Sequence, residues 1–384
     1  MTTIGDGSDP SNPSATPSAA WTIPRPSRRR RWLTRALGII AAVVVIAAIA
    51  GLFIRLPYVV ISPGDATPVD RVVRISGAPT YPHRGSVLFL TVSVTNGRPN
   101  VYRTLVGWLS SDQDVQPEKK ELGCLTRAEN DRQNVMLMSD SQQVARAVAL
   151  SRLGYPVSAR SSGVIVFDVV PGSPACGKLL VGDRIVAVDG KPVSKASDVG
   201  PIVRARTPGQ RVTFTVQRGT ERRDVVVATT KGTGPPFPGM PVVGIMPSDD
   251  VKFSFPPGID VTIDPGPVTG PSAGLAFTLT LLDKLTPGDL TGGRNVAVTG
   301  AMALDGRVGD VGGVAQKAVT ARHAGARLFI VPAHEARDAR AHAGSMKVVG
   351  VQTLEDALRA LRDAGGAPLP VPPPPTTLPP VAVP

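Results

Sequence analysis

Residues 270–285 read GPSAGLAFTLTLLDKL, with a serine, Ser272, between two glycines and behind a proline at the mouth of an apolar run. The pattern G-x-S-x-G is that of a nucleophile elbow, where a sharp strand-to-helix turn exposes a serine hydroxyl. It is equally the composition of a tight turn that opens a core helix. The run that follows predicts a helix over residues 272–285 that is apolar nearly all round, and therefore buried. A serine hydroxyl is a poor nucleophile until a neighbouring base takes its proton, so the choice turns on what base the chain supplies.

Four histidines are present: His83, His323, His334 and His342. Ser272, Asp310 and His323 follow the chain order of an α/β-hydrolase triad. Two features oppose that reading. The elbow serine should follow a strand directly, yet DPGPVTGP (264–271) holds three prolines and two glycines. Too little chain follows Ser272 to complete a hydrolase sheet.

The run GDVGGVAQKAVTARHAG (309–325) offers a lysine instead. Its helical stripe is Val314, Ala318, Ala321 and Ala324, and Lys317 falls inside it, while His323 points with Gln316 and Thr320 to another face. Burial disfavours the charged amine and lowers its pKa, by up to ~3–5 units for full burial, leaving a base able to accept a proton. Helix geometry alone leaves open the alternative that Lys317 snorkels to the surface.

PGIDVTIDPGPVTGPSAGLAFTLTLLDKLT (257–286) and VAVTGAMALDGRVGDVGGVAQKAVTARHAGARLFIVP (296–332) resemble the proteolytic domain of Lon proteases. The resemblance implies an α/β (α+β) domain over residues 236–362 and a Ser–Lys dyad. Its serine stands in a P-S-A-G context matched by Ser272, its lysine in a G-G-x-x-x-K helix matched by Lys317. Such a pair is a variant of the triad logic. Ser272 would start a helix whose free N–H groups and positive dipole end hold an oxyanion. Pro271, Gly270 and Gly274 would fix the turn and admit substrate backbone. Thr299 either orients the lysine or ends a strand. Asp264 either lines the cleft or, the preferred reading, caps a turn.

Upstream, residues 161–228 alternate strands at 163–170, 183–188, 211–218 and 223–228 with turns, and carry one helical stretch at 197–205. This block, with VVPGSPACGKLLVGDRIVAVDG (169–190), resembles a PDZ domain and sets its expected span at 155–231. PDZ domains bind extended peptide ends by strand addition; by the resemblance, the groove begins near Ser162, Gly163, Val164 and Ile165. GSPACGKL (172–179) nearly spells a phosphate loop, but Leu179 replaces the hydroxyl that binds Mg²⁺, so no nucleotide is expected.

The net charge of +12 suggests nucleic acid until it is located. Through residue 55, seven arginines stand against two aspartates, and no basic stripe interleaved with aromatics occurs elsewhere, so no nucleic-acid partner is expected. The arginine cluster precedes ALGIIAAVVVIAAIAGLFI (36–54), nineteen uncharged residues. About 20 apolar residues cross a bilayer as a helix. The stretch exceeds a signal-peptide core, and no A-x-A site follows it. With positive charge inside, residues 1–35 form a disordered cytoplasmic tail and everything past Arg55 lies outside the cell membrane. A strand-rich α/β region is expected over 56–154, turning helical between Arg127 and Gly154 with Ser139 or Asp140 as the cap, and a proline-rich tail over 363–384. Cys124 and Cys176 would face an oxidising space, and sequence leaves their pairing open.

The order of anchor, PDZ block and Lon-like domain resembles bacterial membrane-anchored PDZ–Lon-like peptidases. It implies an ATP-independent serine endopeptidase acting on polypeptides, held to lipid by its anchor, needing neither cofactor nor metal. A non-catalytic PDZ scaffold is the alternative, and assembly into homo-oligomers stays open.

Overall fold

The computed structural model describes residues 28–234 and 236–370. The chain divides into two units between Ile54 and Arg55. Among the described residues the first contains one helix, α1 (Arg28–Phe53). It starts within the arginine cluster, so residues 28–35 of the expected tail are helical. Within it, Arg35–Phe53 is long and apolar enough to cross a membrane. The rest of the N-terminal tail, and residues 371–384 of the proline-rich one, lie outside the described residues.

The second unit begins with β1 (Tyr58–Pro68), β2 (Val73–Ser76), β3 (Ser86–Val94), α2 (Val101–Leu109), β4 (Asp114–Pro117), α3 (Glu118–Leu122) and α4 (Arg127–Arg152). A smaller sheet follows, with β5 (Ser158–Val169), β6 (Arg184–Val188), β7 (Lys191–Pro192), α5 (Ala196–Arg204), β8 (Arg211–Arg218) and β9 (Glu221–Ala228). The short β10 (Thr230–Lys231) and β11 (Pro241–Val242) lead to β12 (Ile245–Ser254). Then come β13 (Asp260–Ile263), α6 (Gly274–Leu285), β14 (Asn295–Val298), β15 (Ala301–Met302), β16 (Val308–Gly309) and α7 (Val314–His323). The chain closes with β17 (Leu328–Pro332), α8 (Ala336–His342), β18 (Lys347–Val351) and α9 (Leu354–Asp363).

The large sheet runs β18-β17-β14-β3-β1-β4. Its first four strands are parallel, and β1 and β4 are antiparallel additions. Residues 56–154 therefore do not stand apart from 236–362. Ser86 pairs with Asn295 and Phe89 with Val298, and β2 pairs with β13, so the two segments form one sheet around one core. The PDZ-like block is inserted into the loop between them.

Strand alternation sets the two faces. Val87, Phe89, Val296, Val298 and Ile330 pack under α6 and α4 with Leu275, Leu279 and Leu282. Leu90, Ala297, Phe329 and Val331 pack under α7 and α8 with Val314, Ala318 and Ala321. α4 fills the stretch expected to be helical between Arg127 and Gly154, but its cap is not the expected one. Its N-cap is Thr126, whose hydroxyl and the Glu129 carboxylate form a capping box, so the helix begins well before Ser139 and Asp140. The disulfide Cys124–Cys176, with Cα atoms 5.4 Å apart, ties the start of α4 to the inserted block.

The inserted sheet runs β12-β5-β6-β8-β9 around Val166, Ile185, Val203 and Phe214. Its edge strand β12 comes from beyond residue 231, so the sheet takes one strand from outside the expected block. The near-phosphate-loop sequence forms turns between β5 and β6, with Leu179 buried in this core.

Candidate active site

Ser272 sits in the turn that leads into α6, at the end of the parallel strands. Its carbonyl accepts hydrogen bonds from Gly300 N–H at 2.9 Å and from the buried Thr299 hydroxyl at 3.2 Å. Thr299 follows the last residue of β14, and its own N–H goes to Ile330 O. It thus ends a strand, and its hydroxyl fixes the backbone of the serine.

The other side of the turn is held by α4. Gly270 N–H donates to Asn134 O at 2.8 Å, and the Ser141 hydroxyl donates to Pro271 O at 3.1 Å. Gly270 has φ +90°, where a side chain would strain the backbone. At Gly274 a Cβ would come within 2.8 Å of Ser141 Oγ and 3.0 Å of Met302 N. These glycines let three segments close on the serine. Asp264 is exposed and accepts the Gly266 N–H at 3.1 Å, which is the turn-capping arrangement.

α7 begins at the same edge of the sheet, on its other face. Gly313, with φ +66°, fits against Val92 at the end of β3, where a Cβ would meet Val92 Cγ1 at 2.8 Å. One turn into the helix, Lys317 is 3% exposed. Burial lowers its pKa from the ordinary 10.5 to about 8, with the nearby Glu335 carboxylate pulling the other way. Glu335 accepts the Val311 N–H at 3.0 Å, and its own pKa is raised by burial. The serine turn meets the end of β14 and the start of α7 meets the end of β3, so Ser272 and Lys317 lie at the same end of the parallel strands on opposite faces, with no hydrogen bond between them.

The hydrolase-type triad is not assembled. Asp310 lies 3.5 Å from His334, both exposed, and His323 is exposed at the end of α7. Gln316 and Thr320, expected on an outer face with His323, are buried because α7 packs against α8 as well as across β1 and β3 of the sheet. Thr320 donates to Gln316 O and reaches Gly64 O at 3.5 Å. Among the described residues, no cluster of His, Cys, Asp and Glu is arranged to hold a metal ion.

The peptide edge expected at Ser162, Gly163, Val164 and Ile165 is corrected. Both sides of this strand are taken: Val164 pairs with Asp249 and Ile185, and Ile165 with Ser248 and Arg184. Ser162 is tied down by its hydroxyl on Asp250 and by Arg184 on its carbonyl, each at 2.8 Å. The reason is topological, since the chain returns after β9 to lay β12 along β5. The sheet edge beside α5 is β12, whose Asp249 carboxylate accepts the Ala196 N–H at 2.6 Å. Sequence reasoning also missed Asn134, Ser141 and Glu335. No local pattern marks the first two, which lie more than a hundred residues from the serine they support. Glu335 carries only the weak signal of an acid just after a buried strand.

Residues 251–361 match the model of the Lon protease (S16) C-terminal proteolytic domain, and residues 151–229 match that of the PDZ domain. Among curated proteins, the chain is similar to a Lon protease of Phenylobacterium zucineum, 31% identical over 171 residues, covering 41% of this chain and 20% of that protein. Lon protease 2 of Bacillus subtilis is 32% identical over 119 residues, covering 30% of this chain and 20% of that protein. The chain thus spans about a fifth of the length of these relatives. A PDZ domain-containing protein of Caenorhabditis elegans is 42% identical over 67 residues, covering 17% of this chain and 50% of that protein. Among solved structures, the PDZ domain of an SdrC-like protein from Listeria monocytogenes is 23% identical with a TM-score of 0.20, covering 22% of this chain and 87% of that one.

Proposed function

In a chain that carries a PDZ domain and a Lon-type proteolytic domain, we propose a membrane-anchored serine endopeptidase that uses Ser272 and Lys317 and needs no ATP. The observation that carries the reading is Lys317: a lysine sealed from water one turn into α7, with its pKa lowered to about 8, at the strand edge that also presents Ser272. A neutral amine of that pKa is a competent base near neutral pH.

Lys317 Nζ takes the proton from Ser272 Oγ as the oxygen attacks the peptide carbonyl. The tetrahedral oxyanion is held by N–H groups of the serine turn. Gly274 and Leu275 N–H are already committed to Pro271 O and Gly300 O, which leaves those of Ser272 and Ala273 for this role. The lysine then gives its proton to the leaving amine. Water, deprotonated by the same lysine, cleaves the acyl-serine. Thr299, Asn134 and Ser141 position the serine by holding its backbone.

The PDZ block recruits extended polypeptide by strand addition along β12, the edge strand of its sheet. β12 is followed in the chain by β13 and then the serine turn, so a captured polypeptide lies on the segment that leads to the site. α1 spans the membrane with its arginines inside and the second unit outside.

Turnover of an unfolded, labelled protein without ATP, beside Ser272→Ala and Lys317→Ala, tests the reading. Cleavage by the wild type that both substitutions abolish supports it. Cleavage that survives either substitution refutes the dyad. Binding of polypeptide without any cleavage, and without labelling of Ser272 by a serine-directed probe, favours a scaffold.

A further inference from the structure

α2 is built inside out. Its small residues Thr104 and Gly107 are buried against β1 and β4; a Cβ on Gly107 would come within 2.6 Å of a Val115 methyl and 3.2 Å of one of Val60. Its large apolar residues face outward: Leu105, Val106, Trp108 and Leu109 are 46–79% exposed, and Tyr102 is 38% exposed. A helix on a water-facing surface has the opposite arrangement. Five large apolar side chains exposed within nine residues form the kind of patch that marks an interaction surface.

The position of the helix says which surface. Asn100, its N-cap residue, bridges to Arg55, and Leu56 N–H donates to Pro99 O at 2.9 Å. Arg55 is the residue at which the chain leaves the apolar run. The patch therefore begins within one strand spacing of the point where the anchor ends, which keeps a bilayer at high effective concentration beside it. Trp108 packs edge-on against Tyr58 with ring centroids 5.5 Å apart, and such rings favour the membrane–water boundary. The helix sequence VYRTLVGWL has no acidic residue to repel anionic headgroups, and its single charge is Arg103.

We propose that α2 docks on the bilayer surface, with Leu105, Val106, Trp108 and Leu109 sunk about 5–10 Å into the headgroup–acyl boundary. This rests on the reading of α1 as a membrane anchor. Anchor and α2 together give the second unit two attachments, which orient it over the lipid instead of leaving it to swing on Arg55.

The test uses the full chain in phosphatidylcholine–phosphatidylglycerol vesicles carrying doxyl-labelled lipid. The chain has three tryptophans, so Trp21→Phe with Trp32→Phe leaves Trp108 as the reporter. The expected result is a blue-shifted Trp108 emission that doxyl lipid quenches strongly and aqueous iodide does not. Adding Leu105→Ser and Leu109→Ser, both at exposed positions, should abolish the lipid quenching. Emission quenched by iodide and untouched by doxyl lipid overturns the proposal. So does protection from both quenchers that is lost on diluting the protein in the bilayer, because a second copy then covers the patch. A companion variant, Trp21→Phe with Trp108→Phe, reports on Trp32 at the arginine end of the apolar run. If Trp32 also escapes lipid quenching, the anchor reading has failed. If Trp32 is quenched and Trp108 is not, the anchor stands and the docking alone is wrong.

Discussion

The two ends of the parallel strands place polar groups under the same core and treat them in opposite ways. At the start of the strands, Asp70 accepts from the Ser86 hydroxyl at 3.0 Å, lies 2.8 Å from His83 and sits 3.5 Å from Lys284. The buried Asp283 accepts the Leu290 N–H at 2.8 Å and lies 3.7 Å from His83. Each of these groups has a hydrogen-bonding or oppositely charged side chain or backbone partner beside it. At the far end, Lys317 is buried more deeply than Lys284 and has no ion pair within bonding distance. The paired end fastens α6 to the N-terminal strands. The unpaired end keeps a destabilised ammonium at the same strand ends as the serine turn, which makes it the candidate functional site. Space alone does not separate them, since a cleft of about 500 Å³ lined by Tyr81, His83 and Lys284 lies at the paired end.

The contrast breaks most sharply under substitution. Ser272→Ala or Lys317→Ala should remove peptidase activity by about a thousandfold or more in kcat, with the two losses non-additive, as for residues that act as a unit. Single and double variants assayed together check this. Lys317→Arg should be as inactive as Lys317→Ala, because a guanidinium keeps its proton.

Stability should move the other way. A disulfide closing a loop of 52 residues contributes about 4 kcal/mol in the chain-entropy model, so Cys124→Ser should lower the denaturation midpoint substantially, read by urea titration. Asp283→Ala leaves the Leu290 N–H without its acceptor and should cost about 1–3 kcal/mol without moving the pH profile of activity. Lys317→Met should do the reverse and raise Tm at pH 7 while abolishing activity. The sign follows from linkage: the folded pKa, about 8, lies below the ordinary 10.5, so the unfolded chain binds more protons between those values. The penalty of the buried ammonium is complete below about pH 8 and is lifted as pH rises toward 10.5. The stabilisation by methionine should therefore shrink at high pH.

The smallest effect belongs to Glu335. Its carboxylate holds the Lys317 pKa up, so Glu335→Gln should move the rising limb of activity to lower pH while its amide oxygen still accepts the Val311 N–H. A limb that stays in place would show that the carboxylate does not act on the lysine.

Much of the site was legible because its signals are local. Lys317 falls on a stripe set by Val314, Ala318 and Ala321, so helix periodicity alone raised its burial as one of two readings. The helices at 274–285, 314–323 and 354–363 and the inserted strands follow period and turn chemistry to within a few residues. What escaped depends on pairings between distant segments. Nothing near residue 86 says that β3 will lie beside β14, or that residues 245–254 will return along β5 and take the edge expected for peptide. Strand register is written in the complementarity of faces, not in either strand alone. The same holds for Asn134 and Ser141, whose contacts with the serine turn exist only once α4 is packed over α6.

The most direct test is the pH dependence of Ser272 acylation by a serine-directed probe in the full-length protein, measured beside Lys317→Ala. The account predicts labelling that rises through a midpoint near pH 8 and is lost in the variant. Labelling of equal rate in both proteins, with the same pH profile, would show that Lys317 is not the base and would contradict it.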